Sequence, residues 1–196
     1  EESATLYVPI GRRSSRASRE FGSDRFLFVH SGGDLPPAFE FLGRQWKCLA
    51  WKVQEHVTYF AELGPGLNPV AAESVMDRLV PQSLNAQMTL LKYNQRLQLS
   101  FSETRRIPSL RVAEAADFTD ASGRFCLTDG CGSISPEAAK RVTRLLGLGD
   151  VPSAFQGRCG PFKGLWAVDA SMTDGEGPDL LVRRSQRKWR TRLQEP

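Results

Sequence analysis

Two cations that flank a tight turn are the side chains of this sequence best suited to chemistry on phosphate groups. Arg158 and Lys163 lie on either side of Gly160-Pro161, and the run of Leu, Trp, Ala and Val after Lys163 is typical of a strand. A hairpin holds its side chains in fixed directions, which suits cations that must meet phosphate oxygens at a set place. The same pattern also fits an ordinary hairpin with solvated Lys and Arg side chains, because most charged residues lie at the surface.

Three blocks around this hairpin favour the chemical interpretation. Residues 127–135 read Leu-Thr-Asp-Gly-Cys-Gly-Ser-Ile-Ser, residues 152–156 read Pro-Ser-Ala-Phe-Gln, and residues 184–189 read Arg-Ser-Gln-Arg-Lys-Trp. In this order and spacing they resemble the cellular RNA-dependent RNA polymerases of RNA silencing, whose pattern reads approximately DGxGxIS, then PSAFQxRxGxxKGxxxVD, then a PSxxKW/F-type segment. The residues of these blocks are most similar to those of the filamentous-fungal quelling branch, although Arg184 stands where the family often has Pro.

The resemblance implies roles for five side chains. Lys163 and Lys188 would be the catalytic cations, placed at the reacting phosphates or the primer end. Arg158 would bind phosphate through its planar guanidinium, Arg187 would bind RNA phosphate, and Gln156 would offer hydrogen bonds to nucleotide or sugar. Fixed cations suit nucleotidyl transfer because negative charge builds on the phosphate oxygens and on the departing pyrophosphate.

A two-metal polymerase also needs clustered carboxylates, and this sequence has no convincing cluster. Among the acidic residues of the second half, Asp129 lies alone in a Gly-rich turn, Asp169 lies alone at a strand end, and Asp174, Glu176 and Asp179 lie in a loop. The DxDGD signature of the family is absent from the 196 residues. The resemblance therefore places the Mg²⁺ ligands in a second barrel, beyond the end of this sequence and facing this one across the active site. We expect this part alone to be inactive.

Composition and charge exclude several classes of protein. A hydrophobic content of 40% with 24% charged residues is normal for a globular chain, and 196 residues can form one large or two small domains. No apolar run is long enough to span a bilayer and no signal segment opens the chain, which predicts an intracellular protein, nuclear or cytoplasmic, without a membrane partner. The net charge of +4 permits a polyanionic partner, and basic residues crowd 12–19 and 183–192.

The cysteines predict reduced thiols rather than a metal site. Cys48, Cys126, Cys131 and Cys159 form no Cys-x-x-Cys pair, and no His follows at zinc-finger spacing. Cys126 and Cys131 bracket a turn, which leaves a zinc site open but a poor fit to the usual ligand spacing.

Turn-forming residues, helix-start signals and apolar periodicity predict a mixed region of strands and helices in the first half. Residues 11–20 are polar and basic and predict a loop. Residues 25–29 predict a strand, and residues 46–63 predict a pair of strands with a turn near residues 54–55. One helix is expected to begin at Asn68-Pro69.

A second helix is expected over about residues 84–100, because Leu90, Tyr93, Leu97 and Phe101 recur at helical spacing. That stripe predicts core packing.

The second half predicts a small barrel with one inserted helix. Residues 125–127 predict a short strand, Ser135-Pro136-Glu137 begins a helix, and Gly147 ends it. The helix side chains expected in the core are Ala138, Ala139, Val142, Leu145 and Leu146. Further strands are expected near 154–159, 163–169 and 179–183. The resemblance identifies this barrel as a double-psi β-barrel.

The expected fold class is therefore α+β and β-rich. Residues 1–108 would form a β-rich accessory region with two helices, and residues 109–196 the first, non-metal-binding barrel. The complete protein would use an RNA template and nucleoside triphosphates to convert single-stranded into double-stranded RNA for gene silencing. Two alternatives stay open: a non-catalytic basic RNA-binding scaffold, and an unrelated barrel enzyme or adaptor that uses the same strands for protein contacts.

Overall fold

The computed structural model describes residues 5, 14–63, 71–172, 175 and 177–191 of the chain. The chain divides into two compact units: Glu1–Leu79 with Leu90–Arg105, and Val80–Thr89 with Arg106–Pro196. The division after Arg105 falls close to the boundary expected near residue 108, and the assignment of residues 80–89 to the second unit has no signal in the sequence. The domain roles expected for residues 1–108 and 109–196 stay predictions.

The described part of the first unit is built on an antiparallel sheet with strand order β1-β4-β3-β2. Its elements are α1 (Arg16–Phe21), β1 (Phe26–His30), β2 (Ala38–Phe41), β3 (Arg44–Lys52), β4 (Val57–Leu63), α2 (Ala72–Leu79) and α3 (Leu90–Gln98). The strand predicted at 25–29 and the strand pair predicted within 46–63 are confirmed, with the chain turning at Val53–Glu55. Strand β2 was not expected.

The loop predicted at residues 11–20 is wrong for the part that forms α1. The Ser15 hydroxyl accepts a hydrogen bond from the Ser18 amide at 3.1 Å, and the Ser18 hydroxyl accepts one from the Ser15 amide at 2.8 Å. This reciprocal capping satisfies two amides that a short helix would otherwise leave unpaired. Residues 11–13 lie outside the described residues.

Two helices, α2 and α3, follow β4, and the second begins later than expected. Residues 68–69, the expected start of the first, lie outside the described residues. Helix α3 begins at Leu90, whose side chain is exposed, so the predicted core stripe is wrong at this position. The residue that faces β3 instead is Asn94, which is buried. Its amide group bonds both the N–H and the C=O of Trp51, at 2.9 and 2.8 Å.

The described part of the second unit is built on a mixed sheet with strand order β5-β9-β6-β8-β7. Its elements are β5 (Val112–Ala115), β6 (Cys131–Ile134), α4 (Pro136–Leu146), β7 (Ala154–Cys159), β8 (Phe162–Val168) and β9 (Leu180–Arg183). The pairs β5/β9 and β6/β8 are parallel, whereas β6/β9 and β7/β8 are antiparallel. The three strands predicted after residue 150 are confirmed.

Helix α4 and one face of this sheet enclose the core of the second unit. The buried side chains are Ile134, Ala138, Ala139, Val142, Trp166, Leu180 and Val182. The predicted helix start is confirmed, because the Ser135 hydroxyl accepts from the Ala138 amide at 3.2 Å. So is its end, at Gly147 with φ 68°. The predicted burial of Leu145 is wrong: it is exposed, and Thr143 is buried instead.

The short strand predicted at residues 125–127 is also wrong. Cys126 forms only an isolated bridge to Thr119, and the Phe125 and Leu127 side chains are largely exposed. Within the described residues β5 and β7 are the edges of the sheet. The mixed α+β, β-rich class is confirmed, while the closed double-psi β-barrel stays a prediction. No helix in the described part of the chain is long and apolar enough to cross a membrane.

Candidate functional site

The β7–β8 hairpin brings three of the five predicted site residues together. Arg158 lies directly opposite Lys163, and Gln156 lies opposite Leu165. Directly paired residues of an antiparallel ladder project from the same side of the sheet. Gln156, Arg158 and Lys163 therefore form a row, which we call the hairpin row, on the sheet face away from the α4 core. We call this face the open face.

The hairpin row places two positive charges across from each other. Like charges at directly paired positions disfavour a hairpin. Partial burial lowers the pKa of the Arg158 guanidinium from its ordinary value. Departures from local folding rules are expected at functional sites, which favours the chemical interpretation of this hairpin over that of two solvated side chains.

Two glycines, Gly132 in the first block and Gly164 directly after Lys163, let the strands beneath the row approach closely. A side chain at Gly164 would overlap the carbonyl oxygen of Gly130, and one at Gly132 would overlap that of Leu181. The Gly130 carbonyl accepts a hydrogen bond from the Leu165 amide at 3.0 Å. Gly130 itself has φ 69°, which suits glycine.

A buried glutamine of the third block packs against the first block and against β8. Gln186 is fully buried, and the ideal Cβ positions of Gly132 and Gly164 come within 3 Å of its amide atoms. Its Oε1 accepts from the Arg183 amide at 2.9 Å, and its Nε2 donates to the Leu165 carbonyl at 3.3 Å. The third block lies against the first block and β8 because this amide fills the space that the glycines leave.

Lys188 is held beside the hairpin turn. Its backbone N–H donates to the Pro161 carbonyl at 2.9 Å, and the preceding residue bridges to Phe162. Its Nζ donates to the Ser185 carbonyl at 3.3 Å. The backbone of this second predicted catalytic lysine thus lies next to the residues that lead into Lys163.

Arg187 is not brought into the hairpin row. Its guanidinium pairs with the Glu114 carboxylate at 2.6 Å and lies 5.1 Å from the centroid of the Phe162 ring. Phe162 packs against the α4 core, on the side of β8 opposite Lys163. The geometry therefore gives Arg187 a structural contact, and its predicted role in RNA binding stays a proposal.

A cavity of about 350 Å³ lies on the open face, where no sequence pattern predicts one. Six of the residues that line it are Ala115, Phe118, Ser133, Ala167, Asp169 and Arg183. Arg183 belongs to the basic cluster at residues 183–192, yet it is buried: its Nη1 donates to the Ala116 carbonyl, and its Cζ lies 4.6 Å from the Phe118 ring centroid. These residues come from separate segments, so no local motif points to them.

Two acidic side chains of the second unit, Asp169 and Asp117, bond to the protein itself. Asp169 accepts from the amide and hydroxyl of Ser171, which lower its pKa. Asp117 accepts from the amide and hydroxyl of Ser185. Within the described ranges, no three His, Cys, Asp or Glu side chains come together as a metal site. The described residues do not fit a catalytic metal centre.

The comparisons with known proteins agree with one another. The family model for RNA dependent RNA polymerase matches residues 3–195. The chain is 34% identical over 127 residues to RNA-dependent RNA polymerase 1 of Arabidopsis thaliana, covering 58% of this chain and 11% of that protein. It is 42% identical over 77 residues to RNA-dependent RNA polymerase 2 of the same plant, covering 39% and 6%.

A solved structure resembles the fold as a whole. RNA dependent RNA polymerase QDE-1 from Thielavia terrestris superposes with a TM-score of 0.75 and 25% sequence identity. The match covers 91% of this chain and 23% of that one. The chain therefore spans a small part of each of these relatives.

Proposed function

Because the chain belongs to the RNA-dependent RNA polymerase family, we propose that it is part of a protein that copies single-stranded RNA into double-stranded RNA for gene silencing. RNA template and nucleoside triphosphates are the substrates. This part supplies cations to the active site and does not polymerise by itself.

The observation that carries the proposal is the pairing of Arg158 with Lys163 beside Gln156 on the open face. Nucleotidyl transfer spreads negative charge over phosphate oxygens in the transition state, and fixed donors stabilise that charge without having to reorganise. Lys163 donates to these oxygens, and the Arg158 guanidinium holds a neighbouring phosphate with two parallel hydrogen bonds. Gln156 bonds the sugar or base, and Lys188 acts from the adjacent segment.

Mg²⁺ would neutralise phosphate charge in such a reaction. The described residues offer it no carboxylate cluster. We therefore assign its ligands to a second barrel of the longer protein, the partner that this part faces.

The test is Lys163→Ala in the full-length protein. We expect a loss of about 10²-fold or more in nucleotide addition, with a much smaller change in RNA affinity, because a group that acts in the transition state contributes mainly to rate. Lys163→Arg should recover part of the activity. Lys140→Ala, which removes an exposed lysine of α4 paired with Glu137, is the matched control and should leave the rate unchanged. Near-normal turnover in a folded Lys163→Ala protein would contradict the proposal.

The second candidate is a non-catalytic RNA-binding scaffold, which the lack of a metal-ligand cluster in the described residues favours. This candidate predicts the opposite effects on nucleotide addition and RNA binding. The full-length protein would incorporate no nucleotides, and Lys163→Ala would weaken RNA binding instead.

A further inference from the structure

The cavity on the open face has the size and lining of a small-molecule subsite. Its volume is about 350 Å³, at the lower end of the range for ligand pockets. Small side chains form its walls: Ala115 and Ala167 belong to β5 and β8 and lie among residues that project to the same side as Lys163. The cavity and the hairpin row thus share one surface of the sheet.

Polar groups of opposite charge meet in this cavity. Asp169 contributes a carboxylate, to which the Ser133 hydroxyl also bonds, and these contacts keep its pKa below the ordinary value. Arg183 contributes a guanidinium that is already bonded to the Ala116 carbonyl. The cavity therefore presents an ionised acceptor to a ligand, next to a cation that is held in place.

Phe118 is the one aromatic ring among the described residues that line the cavity. The Arg183 guanidinium covers one side of it, with Cζ 4.6 Å from the ring centroid. The side chain nevertheless remains 61% exposed. A ring held from behind by a cation and open in front is suited to stacking against a second flat ring.

These features select among ligand classes. A free phosphate would meet the Asp169 carboxylate and be repelled. A purely apolar group would displace water from the ionised Asp169 carboxylate and offer it no donor beyond those of Ser171 and Ser133, which is costly in a partly buried site. A nucleobase satisfies both demands, because it has an apolar face for stacking and N–H donors along its edge.

We propose that this cavity binds one nucleobase, stacked on Phe118 and donating its edge N–H groups to Asp169. The base belongs either to an incoming nucleoside triphosphate or to the RNA strand. Ala167 lies four residues from Lys163 on β8, about 13 Å along the strand. A nucleoside triphosphate or a short stretch of single-stranded RNA spans this distance, so its phosphates would reach the hairpin row. The inference rests on the proposed function of that row.

The test compares two exposed phenylalanines of one segment in the full-length protein. Phe118→Ala removes the stacking surface, whereas Phe125→Ala removes a ring that does not line the cavity. Two quantities are measured for each variant: the Kd of a fluorescently labelled single-stranded oligoribonucleotide, and the KM of each of the four nucleoside triphosphates at saturating RNA. Phe118→Tyr keeps the ring. Ala167→Leu fills the cavity and leaves Phe118 unaltered.

We expect Phe118→Ala and Ala167→Leu to raise one of these quantities about 5-fold or more, in the range of one base–aromatic stack. Phe125→Ala should stay close to wild type, and Phe118→Tyr should recover most of the affinity that Phe118→Ala loses, because it keeps the ring. A rise in KM assigns the base to the nucleotide, and a rise in Kd assigns it to the RNA strand. If both quantities stay unchanged in Phe118→Ala, or change equally in Phe125→Ala, the subsite is rejected. A normal Phe118→Ala together with an impaired Lys163→Ala would reject the subsite alone and leave the proposed function intact.

Discussion

Asp179 is a charged side chain of the second unit that stabilises the fold and does not lie on the open face. Its carboxylate is almost fully buried. It accepts from the Arg111 amide at 2.8 Å and pairs with the Arg111 and Arg141 guanidinium groups at 3.3 and 2.9 Å. Burial alone would raise its pKa, but the hydrogen bonds from Arg111 and Arg141 outweigh burial and lower the pKa from 3.8 to about 2. This acidic residue ties the start of β9 to β5 and α4.

We predict that Asp179→Asn makes unfolding easier at neutral pH. Because the folded-state pKa is the lower one, the carboxylate stabilises the fold fully above about pH 4 and loses that effect as the pH falls from 4 towards 2. The wild type should therefore lose about 2 kcal/mol more than the variant over this interval. Urea unfolding followed by tryptophan fluorescence at pH 5 and pH 2.5 measures the difference. Asp129→Asn, at an exposed aspartate, is the control, and equal pH dependence in wild type and Asp179→Asn would disprove the prediction.

At the scale of elements, close approach of strands rather than local propensity explains the glycines beneath the hairpin row. Gly164 on β8 faces the Gly130 carbonyl and the buried amide of Gln186. Without a side chain at this position, β8 can pair in parallel with β6 while Gln186 lies against both strands. Residues 127–135, the Lys163-Gly164 pair of β8 and residues 184–189 are therefore packed together.

Gly164→Ala should consequently destabilise the second unit by about 1–3 kcal/mol, the usual cost of forcing extra volume into a packed site. The carbonyl it meets belongs to the backbone and cannot rotate away. Gly149→Ala is a matched control, since a Cβ there has no neighbour within 4 Å. Thermal unfolding of both variants decides the matter: a Gly164→Ala transition at the wild-type temperature would mean that the strands adjust without cost.

At the scale of the whole molecule, the positive charge is concentrated towards the C-terminus, and the structure divides that cluster by role. Arg183 is buried, Arg187 pairs with Glu114, and Arg190 is exposed. Asn85 holds the backbone of Arg190 through two hydrogen bonds of 2.9 Å. Arg192 lies outside the described residues. A single helical turn at Arg184–Gln186 follows β9 within this cluster.

We predict that the pair Arg190→Gln and Arg192→Gln weakens binding of single-stranded RNA by the full-length protein. Each RNA phosphate that these cations no longer neutralise should lower the slope of log Kd against log salt concentration. For two phosphates the slope should fall by about 1.4. Replacing Lys140 and Arg144 by Gln removes the same charge from α4 and should leave the slope unchanged. Binding titrations at several salt concentrations test this, and an unaltered slope in the C-terminal variant would mean that these cations are only solvated.

The sequence by itself determined the features that depend on neighbours along the chain. The β7–β8 hairpin follows from the Gly160-Pro161 turn between apolar runs, and α4 follows from Ser135 at its start and Gly147 at its end. The family, expected from three ordered blocks, is confirmed by the match to residues 3–195. The catalytic roles of Lys163 and Lys188 stay predictions.

Only the tertiary structure decided which side chains meet across the fold. Leu145 and Leu90 have apolar side chains at helical spacing, yet both are exposed because burial depends on what packs against the helix. Arg183 lies inside the second unit because Phe118 and the Ala116 carbonyl, far away in sequence, receive its guanidinium. The cavity beside it is built from β5, β6, β8, β9 and their loops, and a periodicity that reports on one strand at a time carries no information about such a junction.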